Sequence, residues 1–289
     1  MNRIVMLVAL VLVPGLVHAD PTAAPTLKLL SAGKGPKQPL RLAPKQGTRS
    51  TIEVVSKGTK ARGAIGKLGR PETLPSTSMV LDAEVTRVEP NGDVRVDVTY
   101  RKLDVRVPKG TPPERAREAQ SQLQALVGAK GYTVVSNLGT TKQSGHIPPE
   151  NASPQLKQQL EAYQGIQNQI MCPLPQEAVG IGARWQLTTN VTAPAETGAL
   201  VVNQTAIFNL VELSGTRGKL AITLRQTGKS TDGQLTTSTT GKGTIEFDLA
   251  MSSPVSAQLE MRTEVQLKTS DMRLAQVDTT TMTLTSRPR

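Results

Sequence analysis

The sequence predicts a mainly β (α+β) protein: a curved antiparallel sheet, or sheets, built from two related β units, with two amphipathic helices packed on the sheet. Three observations predict it. Apolar and polar residues alternate with a period of two over long stretches. Turn residues separate those stretches. Two shorter stretches instead carry apolar residues every three or four positions, as a one-sided helix does.

In chain order, the first element is a targeting segment. Residues 1–19 have a basic start (Asn2-Arg3), an apolar run from Ile4 to Val17 interrupted by Pro14-Gly15, and a small-x-small ending at Val17-His18-Ala19. That is the layout of a cleavable secretory signal. The run is too short, and too broken, for a comfortable membrane span. Cleavage before Asp20 would place the protein in the periplasm or outside the cell, and no Cys follows that could carry a lipid.

Residues 20–38, rich in Pro, Gly, Ala and Lys, read as a flexible basic lead-in with one short strand at 26–30. A first β unit with an inserted helix is expected over 39–150. In it Met79, Leu81, Ala83 and Val85 alternate with polar residues, Pro90-Asn91-Gly92-Asp93 marks a turn, and Val94, Val96, Val98 and Tyr100 alternate again. Asp82, Glu84, Asp97 and Asp104 then belong to a solvated face. Thr111-Pro112-Pro113-Glu114 reads as a capping box opening a helix over 112–127, closed by Gly128, with Ala116, Ala119, Leu123 and Leu126 as its stripe. His146 falls in what reads as an exposed loop. A second helix is expected to connect the units over 151–171, with Leu156, Leu160, Tyr163, Ile166 and Ile170 on one face. The second β unit covers 172–289. Its clearest strand alternates Ala257, Leu259, Met261, Thr263, Val265 and Leu267 with charged and amide residues, and a partner follows at 272–284.

The two units echo each other. Gly47-Thr48-Arg49-Ser50 and Gly182-Ala183-Arg184-Trp185 each open a strand. Val85-x-x-Val88-Glu89 corresponds to Phe208-x-x-Val211-Glu212, and Lys130-Gly131 to Lys242-Gly243. Two such half-sheets can fuse into one.

Charge and composition bound the function. The formal net charge is +11, and residues 20–70 hold eleven Lys/Arg against Asp20 and Glu53. The basic residues Lys57, Lys60, Arg62, Lys67 and Arg70 are candidate binding residues for an anionic envelope component: a lipid headgroup, lipopolysaccharide or glycan. The bland alternative is a solvated, solubilising flank. Trp185, the single Trp, is a candidate stacking platform for a ligand, against the alternative of a packing residue at a strand start. Aromatic residues make up only 2% of the chain, which argues against base stacking on nucleic acid. With one Cys (Cys172) and His18 and His146 as the histidines, no Cys/His zinc cluster can form. Gly241-Lys242-Gly243 reads as a turn too short to be a phosphate loop. No catalytic residue and no cofactor are assigned.

The segment Pro173-Leu174-Pro175-x-x-x-Val179-Gly180-Ile181-Gly182-Ala183-Arg184-Trp185, with Gly241-Lys242-Gly243-Thr244-Ile245-Glu246-Phe247-Asp248 downstream, resembles a family of uncharacterised bacterial secreted proteins and lipoproteins with a domain of unknown function. The resemblance spans roughly 39–289 and implies a β-rich envelope protein with no assigned activity. A looser likeness, of architecture alone, is to periplasmic lipoprotein carriers with a curled sheet over helices. The function expected is a non-catalytic binding or scaffold role in the envelope, for which an apolar groove between sheet and helices is one candidate site. The alternative is a hydrolase acting on an envelope polymer through carboxylates.

Overall fold

The computed structural model of the protein describes residues 20–21, 25–148, 172–195 and 198–289. Its strands are β1 (Asp20–Pro21), β2 (Thr26–Ser31), β3 (Lys34–Gln38), β4 (Arg49–Ala64), β5 (Lys67–Leu68), β6 (Glu72–Thr73), β7 (Ser76–Val88), β8 (Val94–Arg106), β9 (Lys130–Val135), β10 (Thr141–Ile147), β11 (Val179–Ile181), β12 (Arg184–Ala195), β13 (Gly198–Ser214), β14 (Arg217–Ser230), β15 (Leu235–Asp248), β16 (Ser256–Lys268) and β17 (Arg273–Pro288), with α1 (Pro113–Gln124) between β8 and β9. One open antiparallel sheet runs in the order β12-β13-β14-β15-β16-β17-β4-β7-β8-β9-β10. Strands β1 and β2 pair with β12, and β5 and β6 pair with the far half of β4. A small second sheet joins β3 to β11.

The two expected units therefore share one sheet, joined where β17 pairs with β4. The lead-in carries the short strand expected at 26–30, as β2, but a second strand, β3, extends the paired structure to Gln38. Their backbone groups are satisfied by pairing with β12 and β11, and an extended segment beside an open edge gains those hydrogen bonds. The Lys242 dipeptide neighbours are not a turn either: Gly241 and Gly243 lie in the middle of β15.

Alternation explains which face is buried. Directly opposed residues form an unbroken apolar row across the strands: Leu210, Leu220, Ile245, Ala257, Leu284, Val54, Met79 and Leu103. All are buried except half-buried Ala257, which joins the two hydrophobic clusters. Each such side chain taken from water contributes about 1.5–3 kcal/mol. A slip by one residue would turn the whole row to solvent, so this row also sets the register. The opposite face carries ion pairs such as Arg49–Glu84, Arg95–Asp97 and Lys102–Asp104, the solvated face expected of those strands.

The apolar end of the inner face is closed by four chain segments tied to one another. Leu42 N–H donates to Asn137 O, Ala43 N–H to Leu249 O, and Leu174 N–H to Leu138 O. The Arg41 guanidinium donates to the Leu40, Pro175 and Gln176 carbonyls, and Leu40 and Leu174 are buried beneath. Glycine allows the closest approaches between neighbouring strands. A Cβ on Gly243 would sit 2.1 Å from Gln258 O, and one on Gly58 would sit 2.6 Å from Thr279 O. Neighbouring strands approach too closely there for any side chain on that face.

Helix α1 is shorter than the expected 112–127, and the capping box does not form. The Thr111 hydroxyl donates to Pro108 O at 2.8 Å instead of accepting from the first turn, and Pro112 is the N-cap. The helix covers a bare stretch of β8 beyond the end of β9. Gln120 accepts from Val105 N–H at 3.0 Å, and Gln120 and Gln124 both donate to Leu103 O. Two glutamines thus do for β8 what a neighbouring strand would do. Leu123 and Leu126 anchor the helix in the core. The expected second helix over 151–171 lies outside the described residues.

One local arrangement occurs in both halves. Gly47 N–H donates to Val85 O and Val85 N–H to Thr48 O; Gly182 N–H donates to Leu210 O and Leu210 N–H to Ala183 O. In each half the register shifts immediately afterwards, between Val85 and Arg87 and between Leu210 and Glu212. Val85 thus corresponds in position to Leu210, two residues from the match suggested by sequence.

Candidate functional site: a polar row on the inner face

Moving along the strands away from the apolar row, the same face changes character. Another set of opposed residues is polar throughout: Gln204, Gln226, Thr239, Thr263, Asp278, Lys60 and Glu72. Gln226, Thr239, Thr263 and Asp278 are buried, with Asp278 only 1% exposed. Gln276 and Arg62 stand opposed in a neighbouring row. Thr239 and Thr263 share a hydroxyl–hydroxyl bond of 3.0 Å. Arg62 Nε donates to Gln276 Oε1 at 2.7 Å, and Gln276 Nε2 donates to Asp278 Oδ2. Asp278 Oδ1 and Gln226 Oε1 are buried acceptors with no hydrogen-bond partner. Such acceptors are costly to leave unmatched.

The electrostatics follow from this burial. Desolvation pushes the Asp278 carboxyl above its usual range, against the opposing pull of the Gln276 bond and of Lys60 and Arg62. Lys60 is lowered, first by burial and then by Arg62, with Asp278 and Glu72 pulling it back. A carboxyl raised on folding contributes stability below its unfolded pKa of about 3.9, and that stability is lost as pH rises through the folded value. Asp278→Asn should therefore raise the thermal midpoint at pH 8, with a smaller gain, or none, at pH 4. An equal loss at both values would mean that Lys60 and Arg62 hold the group as a needed carboxylate.

The structure distributes the sequence-predicted residues unevenly. Lys60 and Arg62 share the inner face beside Asp278 and Gln276, Lys60 half-buried and Arg62 exposed. Lys67, opposed to Ala64, is exposed near the tip of the same strand pair, and Arg70 follows it, exposed. Lys57 is exposed on the outer face, opposed to Thr281. Trp185 is fully buried, stacked on Phe208 at 5.8 Å, with its indole N–H donated to Pro173 O at 2.8 Å. That is the packing alternative; a ligand could not stack on it. His146 is not in an exposed loop: it lies half-buried in β10, its ring 6.0 Å from Tyr100. Cys172, half-buried, borders a shallow apolar cleft with Leu42, Leu174 and Phe247. Burial pushes its thiol far up, so it is a poor nucleophile.

Gln226, Thr239, Thr263, Gln276 and Asp278 were not singled out by sequence. The row presents hydroxyls, amides, two buried acceptors with no hydrogen-bond partner, and two cations at one end. No group of His, Cys, Asp and Glu among the described residues could hold a metal, and no described helix is long and apolar enough to cross a membrane, which says nothing of a β-barrel.

No protein-family model matches the chain, and no curated protein matches it. Among solved structures it is similar to the outer membrane protein OmpT of Vibrio cholerae in trimer form (9% identity, 81% of this chain and 99% of that one, TM-score 0.23). It is also similar to Pseudomonas aeruginosa OccK2 (OpdF) in complex with glucuronate (9% identity, 83% and 100%, TM-score 0.22) and to Pseudomonas aeruginosa OpdK with vanillate (8% identity, 83% and 99%, TM-score 0.20).

Proposed function

We propose that the protein is an exported, non-catalytic binding protein of the bacterial envelope, periplasmic or secreted, that holds an anionic envelope component against the inner face of its sheet. The resemblance to secreted proteins of unknown function and the signal-like residues 1–19 support export. The observation that carries the binding role is the polar row. Among the described residues Lys60 and Arg62 form no ion pair; Lys60 stands directly opposite Asp278, whose Oδ1 is a buried acceptor with no partner, and three strands further along the row Gln226 holds another. A ligand with an acidic group and hydroxyl donors satisfies both needs at once. We read the paired arrangements at Gly47 and Gly182 as two copies of one β unit, fused to make a face wide enough for such a ligand.

Native mass spectrometry of protein purified from its host envelope tests this. The wild type should carry an anionic adduct beyond the mass of the chain beginning at Asp20, and Lys60→Gln/Arg62→Gln should lose it. An adduct-free wild type, or an adduct indifferent to the double substitution, defeats the reading.

A further inference from the structure

The strand tips nearest the polar row form a second feature. On the inner face Leu235, Leu267 and Leu274 are directly opposed across β15, β16 and β17, and Ala64 and Lys67 continue the row. Leu274 is 44% exposed, and Leu68 at the adjoining tip is 40% exposed. Around them lie five exposed cations: Lys67, Arg70, Lys229, Lys268 and Arg273. The acids nearest them along the chain are Glu72, Asp232 and Asp271. None of the five cations joins an ion pair among the described residues. Other cations of the sheet do, as in Arg87–Glu89, Arg95–Asp97 and Arg217–Asp248. Lys268 and Arg273 stand directly opposite each other, a like-charge pair that destabilises a sheet. Apolar side chains in water ringed by unmatched positive charge need a partner that is apolar inside and negative at its surface.

We infer that this rim docks on an anionic lipid bilayer, with Leu274 and Leu68 entering the headgroup region and the five cations facing lipid phosphates. The surface is distinct from the polar row and goes beyond the ligand reading.

The test is sedimentation of the full-length mature chain with vesicles of phosphatidylglycerol and phosphatidylcholine, against phosphatidylcholine alone, at low and raised salt. Binding should need the anionic lipid and weaken as salt rises. Lys67→Gln/Arg70→Gln/Lys268→Gln/Arg273→Gln should lower it at least about tenfold. The affected positions are exposed, and circular dichroism confirms the fold of each variant. Leu274→Trp adds a depth reading: brominated acyl chains should quench its fluorescence, which buried Trp185 cannot mimic. Binding without quenching, binding equal on both lipids, an unaffected quadruple variant, or self-association in place of vesicle binding each overturns the inference. Lys60→Gln should leave vesicle binding intact even if it loses the adduct, so the two readings can fail separately.

Discussion

Trp185→Ala is expected to cost about 3–5 kcal/mol, the range for removing a large, fully buried aromatic side chain. Three losses combine. The ring leaves a void in the second-half core, where Trp185 stands opposite Phe208 and stacks on it. Pro173 O loses its indole donor in a buried setting. The segment 172–175, held partly by that bond, also covers Leu174 and the apolar end of the sheet. For a chain of this size the thermal midpoint should fall by roughly 5–9 °C. Circular dichroism is the suitable probe, since the substitution removes the only indole. Trp185→Phe should lose less, keeping the stacking but not the bond. A cost below about 1 kcal/mol for Trp185→Ala would mean that the site collapses around the gap.

Gly243→Val should destabilise by about 3 kcal/mol, the upper end for overpacking, although valine favours strands and glycine does not. Propensity and geometry predict opposite signs here, which makes the result decisive. The new Cβ would overlap Gln258 O at 2.1 Å and crowd Leu259 Cα at 3.0 Å; both are backbone atoms of a paired strand and cannot rotate away. The sheet would have to flatten locally, pulling the polar row apart from the apolar row. Gly241→Ala is the control, since its nearest contacts, at 3.2–3.3 Å, include the flexible Met261 side chain. Urea unfolding of both variants gives the comparison. A stabilised Gly243→Val would show that curvature at this point does not depend on glycine.

Much of the sheet was legible because its strands have one wet face. Met79 to Val85, Val94 to Tyr100 and Ala257 to Leu267 alternate so regularly that their inner faces could be read directly, and Gly92, with φ of 82°, makes the expected turn. The capping box was misleading because Thr111 follows a proline-rich bend, where a nearer carbonyl captures its hydroxyl. The lead-in looked flexible because nothing local to 26–38 announces the distant edges it pairs with. The polar row was illegible for a related reason. Thr239, Thr263 and Asp278 each look like an ordinary polar position on its own strand, and only register brings them together. Of the basic cluster, Lys60 and Arg62 reach the row, while alternation sends Lys57 to the other face.

The pairing of β17 with β4 also governs the order in which the molecule can be completed. Leu284 faces Val54, so the centre of the sheet closes only when the final strand emerges, some 230 residues after its partner. Until then β4 waits as a long bare edge during synthesis, the kind of edge that recruits other chains. Contacts so distant in sequence form slowly. Lys57, Lys60 and Arg62, clustered on the waiting half of β4, would repel an identical neighbour throughout that interval. The same charges therefore protect the nascent chain from its siblings until the sheet closes.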